Sequence, residues 1–375
     1  MMLRRRIQLT LMLLLLSLLA SCGAAGGGAA GDAASGATAG GSATPGSAAA
    51  GGNAAPVAAA GGNATTIILG AYTTPREAYG KLIPIFKERW KQQTGQDLTF
   101  QESYLGSGAQ SRAIVEGFEA DIAALSLEAD ITNIVKAGLI THDWSNNPTK
   151  GMVSDSVVAF AVRKGNPKGI KDWADLAKPG VEVLTPNPKT SGGAQWNILA
   201  LYGAAKRGFV TGVPKDDDAA ATAFLKAVLK NVKVMDKGAR ESITNFEQGV
   251  GDVAITYENE VVVGHQHGQD YELVIPQSTI LIENPIAVVD TYVDKHGSRK
   301  PVEAFVNFLY TPEAQQIFAE FGLRSIDPAV AKATAAQFPA VKDLWKIDYF
   351  GGWSAATPAY FGENGVFTKA VAETQ

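Results

Sequence analysis

From Thr66 onward, short apolar runs alternate with longer stretches in which apolar residues recur every three or four positions. "TIILGAY" (Thr66–Tyr72) has the brevity and β-branched content of a strand. The stretch after it predicts a helix with Thr74 as N-cap, Pro75 at the first helical position and Glu77 at the third, a capping box with a proline start. Ala78, Leu82, Phe86 and Trp90 then keep helical spacing, and Gly95 ends the run. "DLTFQESY" (Asp97–Tyr104) predicts the next strand and "LGSGAQSRAIVEGF" a turn entering a helix. "ADIAALSL" predicts a buried strand and "EADITNIVKAGLI" a helix. Such alternation implies βαβ units, a mainly parallel sheet and an α/β fold.

The alternation resumes at "SVVAFAVRKG" (Ser156–Gly165) and continues through "VEVLTP", the helix after Gly193, "VKVMD" and the helix in "ARESITNFEQG". "DVAITYENE" (Asp252–Glu260) reads as a strand able to cross back to the first lobe, with Tyr271 to Val293 completing the first sheet. "TPEAQQIFAEFG" (Thr311–Gly322) predicts a capped helix outside that sheet. Residues 66 to 375 suffice for two lobes with separate cores. We assign lobe 1 to 66–155 and 261–345, lobe 2 to 156–260, and 346–375 to a C-terminal segment packed on them.

The first 65 residues follow another logic. Arg4, Arg5 and Arg6 precede an apolar run from Leu9 to Leu19, too short to span a bilayer comfortably, and then "LASC". That is an export signal (residues 1–22), and its ending resembles the bacterial lipobox, with Cys22 as the acylated residue. Cys22 is the chain's only cysteine, which excludes an internal disulfide and a cysteine–metal centre. Residues 23–65 are almost entirely Gly, Ala, Ser, Thr and Asn, a composition that cannot bury enough apolar surface to order itself. As a flexible coil this tether spans about 35 Å. A net charge of −4 and the lack of a basic stripe with interleaved aromatics argue against nucleic acid as a partner.

Candidate chemistry gathers at four strand-to-helix turns: Thr73–Thr74, Gly106–Ser107–Gly108, Ser191–Gly192–Gly193 and Gly238–Ala239. Each exposes main-chain N–H groups with little side-chain cover. A helix N-terminus carries about half a positive charge, so four aimed at one point offer about two, enough for a tetrahedral dianion. Any one such turn is ordinarily just a cap. No Gly-Lys-Ser/Thr ends a glycine loop, and no Gly-x-Ser-x-Gly elbow sets Ser107 or Ser191 as a nucleophile. His265 and His267 in "GHQHG" lack further ligands at zinc spacing and read as a solvated loop; His142 and His296 stand alone. Glu258 and Glu260, with no partner base evident, read as rim or hinge residues.

"NPKTSGGAQWN", "RKGNPKGIKDWADLAKPGV", "GARESITNFEQGVGDVAITYENE" and "FGGW" (Phe350–Trp353) together resemble the bacterial sulfate-binding proteins of ABC importers, whose relatives include thiosulfate binders, from about Ile67 to Phe361. The resemblance implies a two-lobed periplasmic-binding-protein-like fold of type II, with crossover hinge strands, closing on a dehydrated sulfate. It implies donors at the N–H groups of Ser107, Gly192, Gly193 and Ala239 and at the Ser191 hydroxyl. Two positions depart from the family pattern. Asp-Pro before the first helix reads Thr73-Thr74, leaving the Thr73 N–H available, and a strand tryptophan reads Tyr257.

We therefore expect a non-enzymatic, extracytoplasmic solute-binding protein. It would capture sulfate without cofactor or metal, pass it to an ABC permease, act as a monomer and hold to a membrane through Cys22. The alternatives are another oxyanion (thiosulfate, molybdate or phosphate) or an anchored ester hydrolase.

Overall fold

A computed structural model describes residues 64 to 374; the signal peptide, Cys22 and the tether up to residue 63 lie outside the described residues. The strands are β1 (Thr65–Tyr72), β2 (Leu98–Leu105), β3 (Ile122–Ala124), β4 (Met152–Val162), β5 (Val183–Pro186), β6 (Val232–Asp236), β7 (Val253–Tyr257), β8 (Glu272–Val274), β9 (Ser278–Val288) and β10 (Asp343–Trp345). They pair in the order β2-β1-β3-β9-β4-β7-β5-β6, with β10 beside β9 and β8 beside β4. Parallel pairing joins β1 to β2 and β3, and β5 to β6 and β7, as the alternation predicts.

Between these parallel groups run two long strands. β9 pairs antiparallel with β3 through Ile286–Val288 and with β4 through Leu281–Pro285. Beyond that contact β4 pairs with β7 through Val158–Val162. The lobes are thus joined by strands that each take part in both, and the described residues form one compact unit.

The helices are α1 (Arg76–Thr94), α2 (Ser107–Val115), α3 (Glu128–Lys136), α4 (Gly192–Lys206), α5 (Asp218–Leu229), α6 (Ala239–Glu247), α7 (Glu258–Gln266), α8 (Asp290–His296), α9 (Arg299–Leu309), α10 (Pro312–Glu320), α11 (Pro328–Thr334), α12 (Gly352–Ala356) and α13 (Val366–Thr374). The apolar faces of α1, α9 and α10 meet on β1, placing Leu82, Phe86, Phe305 and Phe318 around Ile67 and Leu69. Each such side chain contributes roughly 1.5–3 kcal/mol when fully buried.

The second core surrounds α4, which is buried on every face from Trp196 to Ala205. A helix apolar all round needs a second cover. The C-terminal segment supplies it, with Trp353 edge-on to Trp196 at 4.6 Å and Tyr360 on Tyr202 at 5.1 Å.

Three local expectations need correction. The capping box at Thr74 is absent: α1 starts at Arg76 without a side-chain cap, because the Glu77 carboxylate turns to Arg240 instead. The segment after Tyr271 does not serve only the first sheet, since β8 pairs with Phe160–Val162 of β4. And "GHQHG" is only partly loop: Gly264–Gln266 close α7, with His265 Nε2 donating to the Tyr271 carbonyl at 2.7 Å, and His267 and Gly268 form the turn after it.

Candidate functional site

β1 and β2 run parallel to each other, as do β5 and β6, and the antiparallel steps through β9, β4 and β7 set the two pairs in opposite directions. The turns leaving their carboxyl ends, where α/β folds gather ligands, therefore face one another. α1, α2, α4 and α6 start from these turns. Their N-termini meet at a small cavity of about 10 Å³. The first lobe lines it with Tyr72, Thr73, Thr74, Gly106, Ser107 and Ser126, and the second with Ser191, Gly193, Ala239 and Tyr257. Six of the predicted site residues, Thr73, Ser107, Ser191, Gly193, Ala239 and Tyr257, therefore share one wall. Gly192 stands one step behind, against Ser126 and Leu127.

No charged side chain is among the lining residues. The nearest ones are occupied with each other. Arg240, the residue after Ala239, grips Glu77 through Nη1 at 2.5 Å and Nη2 at 2.9 Å, and its Nε lies 2.8 Å from Glu260. Burial raises the Glu260 pKa and the Arg240 charge opposes that rise. Burial likewise acts to raise Glu77, but hydrogen bonding and charge from Arg240 leave it below the ordinary range. Glu258 is held the same way by Arg324, at 2.8 and 3.0 Å. Glu258 and Glu260 are thus fully buried ion-pair partners, not rim residues, because each has a guanidinium to offset its desolvation.

The hydroxyls on the wall are ordered in different ways. Ser191 caps α4 by accepting the Ala194 N–H at 3.3 Å, which leaves its own hydrogen for another acceptor. Ser107 donates to Asp130 Oδ2 at 2.5 Å and accepts the Ser126 N–H at 2.9 Å. Burial pushes Asp130 up to about 6 despite that bond. Tyr257 is buried with its hydroxyl 2.6 Å from Ser126 Oγ. Burial raises its pKa, so it stays a neutral phenol. The Tyr72 hydroxyl is buried and has no hydrogen-bond partner.

Tyr72 and Ser126 were not singled out from the sequence. Both follow from one rule, since Tyr72 ends β1 and Ser126 lies just past β3. Reading "ADIAALSL" as strand throughout concealed the serine, because β3 stops at Ala124. Among the described residues no group of three or more His, Cys, Asp or Glu is placed to hold a metal. The arrangement offers hydrogen-bond donors and helix dipoles without a paired acid and base. It can bind a small anion.

The family profile described as bacterial extracellular solute-binding protein matches residues 67–324. The chain belongs to the bacterial extracellular solute-binding proteins. It is 46% identical over 305 residues to the sulfate-binding protein of Synechococcus elongatus, covering 81% of this chain and 85% of that one. The sulfate-binding protein of Escherichia coli K12 is 42% identical over 304 residues, covering 80% and 91%. The thiosulfate-binding protein of the same strain is 36% identical over 315 residues, covering 82% and 92%. Among solved structures, the sulfate-binding protein SubI from Mycobacterium tuberculosis H37Rv superimposes with a TM-score of 0.73 at 40% identity, covering 79% of this chain and 99% of that one. The fold of this solute-binding protein is accordingly the two-lobed type II form.

Its lobes meet through main-chain contacts beside the cavity. The Thr190 carbonyl accepts the Ala109 N–H at 3.2 Å, and Arg112 donates to the Lys189 carbonyl at 3.0 Å. A Cβ on Gly106 would sit 2.5 Å from that Thr190 oxygen. Gly106 has φ −58°, which any residue adopts, so an alanine there meets only the opposite lobe. Gly106→Ala should therefore hold the lobes apart, and small-angle scattering should give a larger radius of gyration than the unaltered chain under closing conditions. Identical profiles would remove Gly106 from the closure.

Proposed function

We propose that this solute-binding protein captures sulfate outside the cytoplasm and delivers it to an ABC importer. One observation carries the reading: a small cavity at four helix N-termini with no charged side chain on its wall. Four half-charges balance about two negative charges, and main-chain N–H groups do not need ordering after the anion arrives. The donors in this reading are the N–H groups of Thr73, Ser107, Gly192, Gly193 and Ala239, with the hydroxyls of Ser191 and Tyr257. The names of the relatives support the same choice.

In this reading the site binds rather than converts its ligand. Of the three serines on the wall, Ser126 is paired with Tyr257 and Ser191 with a helix N–H, and only Ser107 touches a carboxylate, with its oxygen turned to the Ser126 N–H. Lobe 1 brings Thr73 and Ser107 while lobe 2 brings Ser191, Gly193 and Ala239, so capture couples to closure. In the same reading the protein acts as a monomer and is held to the membrane by a lipid on Cys22, with residues 23–65 as its tether.

Calorimetric titration of the tether-free domain with sulfate, thiosulfate, phosphate and molybdate tests the ligand. Sulfate should bind with the highest affinity and be recovered unchanged; a heat signal from molybdate or thiosulfate alone would reassign it. Ser191→Ala should cost about 1.5–3 kcal/mol, one hydrogen bond to a charged acceptor. In Gly193→Asp the new side chain starts 3.2 Å from Tyr257 and 3.5 Å from Ser191 Oγ, inside the cavity, so binding should be lost. Lys189→Ala should matter least. A large loss from the lysine variant with Ser191→Ala near neutral would mean that a cation balances the charge. For the anchor, Cys22→Ser should leave the processed, lipid-labelled form undetectable in membranes, and its persistence there would refute the lipid assignment.

A further inference from the structure

The cavity wall contains one pair of hydroxyls bonded only to each other across the two lobes. Ser126 comes from the turn between β3 and α3, and Tyr257 ends β7, yet their oxygens lie 2.6 Å apart. Both line the cavity. Ser126 is pinned from two further sides: its carbonyl accepts the Trp196 indole N–H at 2.9 Å, and its N–H donates to Ser107 Oγ. The neighbouring glycines make room for the pair. A Cβ on Gly192 would lie 2.8 Å from Ser126 Oγ, and one on Gly193 would lie 3.2 Å from the Tyr257 ring.

A hydroxyl is both donor and acceptor, so the bond between two of them can run either way. We propose that Ser126 and Tyr257 form a reversible hydroxyl pair that admits a singly protonated tetrahedral oxyanion, of the hydrogen phosphate class, beside a fully ionised one. In one direction Ser126 donates to Tyr257 and Tyr257 donates to the anion, the arrangement a fully ionised ligand needs. In the other, Tyr257 donates to Ser126 and Ser126 turns its hydrogen to an ionised oxygen of the ligand. The Tyr257 oxygen then has a lone pair free to accept the ligand's own O–H. Every hydrogen keeps an acceptor in both states.

The hydroxyls of Ser107, Tyr72 and Ser191 are placed differently. Ser107 keeps a fixed direction, with its hydrogen on Asp130 and one lone pair on the Ser126 N–H, and so does not switch. Tyr72 has no protein partner to take its hydrogen, so accepting from a ligand would leave that hydrogen unpaired in a buried place. Ser191 has spent a lone pair on the Ala194 N–H and faces the same loss. The Ser126–Tyr257 pair can reverse, and in this proposal it adjusts how strongly a protonated oxyanion is rejected.

This inference rests on the sulfate reading, and competition between sulfate and inorganic phosphate at pH 8 separates the two. Removing Ser126 strands the Tyr257 hydrogen whenever Tyr257 accepts. Ser126→Ala should therefore raise the preference for sulfate over phosphate about tenfold, the worth of one net hydrogen bond, with sulfate affinity within about threefold of the unaltered protein. Tyr257→Trp, whose indole can only donate, should widen the ratio at least as far and stands in if Ser126→Ala does not fold. An unchanged ratio in a variant that still binds sulfate overturns the hydroxyl pair and leaves the sulfate reading standing. An unaltered protein that takes neither anion overturns both.

Discussion

A doubly charged anion leaves water only where every lost hydrogen bond is replaced and its charge is met by something already in position. A buried ion left unpaired costs several kcal/mol even after the surroundings relax. In the proposed reading this solute-binding protein meets the requirement with backbone rather than with cations. α1, α2, α4 and α6 point their N-termini at one cavity, and the sheet order is what brings them together. The charged residues close by are arranged so as not to interfere. Arg240 is engaged by Glu77 and Glu260, and Asp130 is separated from the cavity by the Ser107 hydroxyl.

The same need explains why the two lobes must touch. Neither half alone surrounds the cavity, and each contributes walls the other lacks. Contact is made through main chain at Thr190 and Lys189, and through the Arg240–Glu77 pair between α6 and α1. Glycine at 106 and 192 serves this approach as much as it serves a ligand. At both positions a Cβ would strike the opposite lobe, at the Thr190 carbonyl and at Ser126. β4 and β9 link the lobes at their base, so closure bends two strands rather than a loose linker.

Local order was readable from the chain wherever one segment decides it. The apolar periodicities place β1, α1, β2 and α2 well, and the glycine-serine turns mark where α2 and α4 begin. What escaped depended on distant partners. Glu77 looked like a capping residue until Arg240, far along the chain, claimed its carboxylate. Glu258 and Glu260 read as rim or hinge residues because Arg324 and Arg240 are not sequence neighbours. Ser126 was hidden in an apolar run, and only the cross-lobe bond to Tyr257 gives it a role. Glycines near Ser191 were read as room for a ligand, and the structure adds that they are room for the other lobe.

The central claim is that backbone N–H groups, and no cationic side chain, hold the anion. Two-dimensional nitrogen–proton NMR of the isotope-labelled domain, titrated with sulfate, reads it out residue by residue. The amide protons of Ser107, Gly192, Gly193 and Ala239 should move downfield and exchange more slowly, while the Arg240 and Arg112 side-chain N–H signals hold their positions. Amide signals that stay fixed while an arginine side-chain signal responds to saturating sulfate would contradict the account.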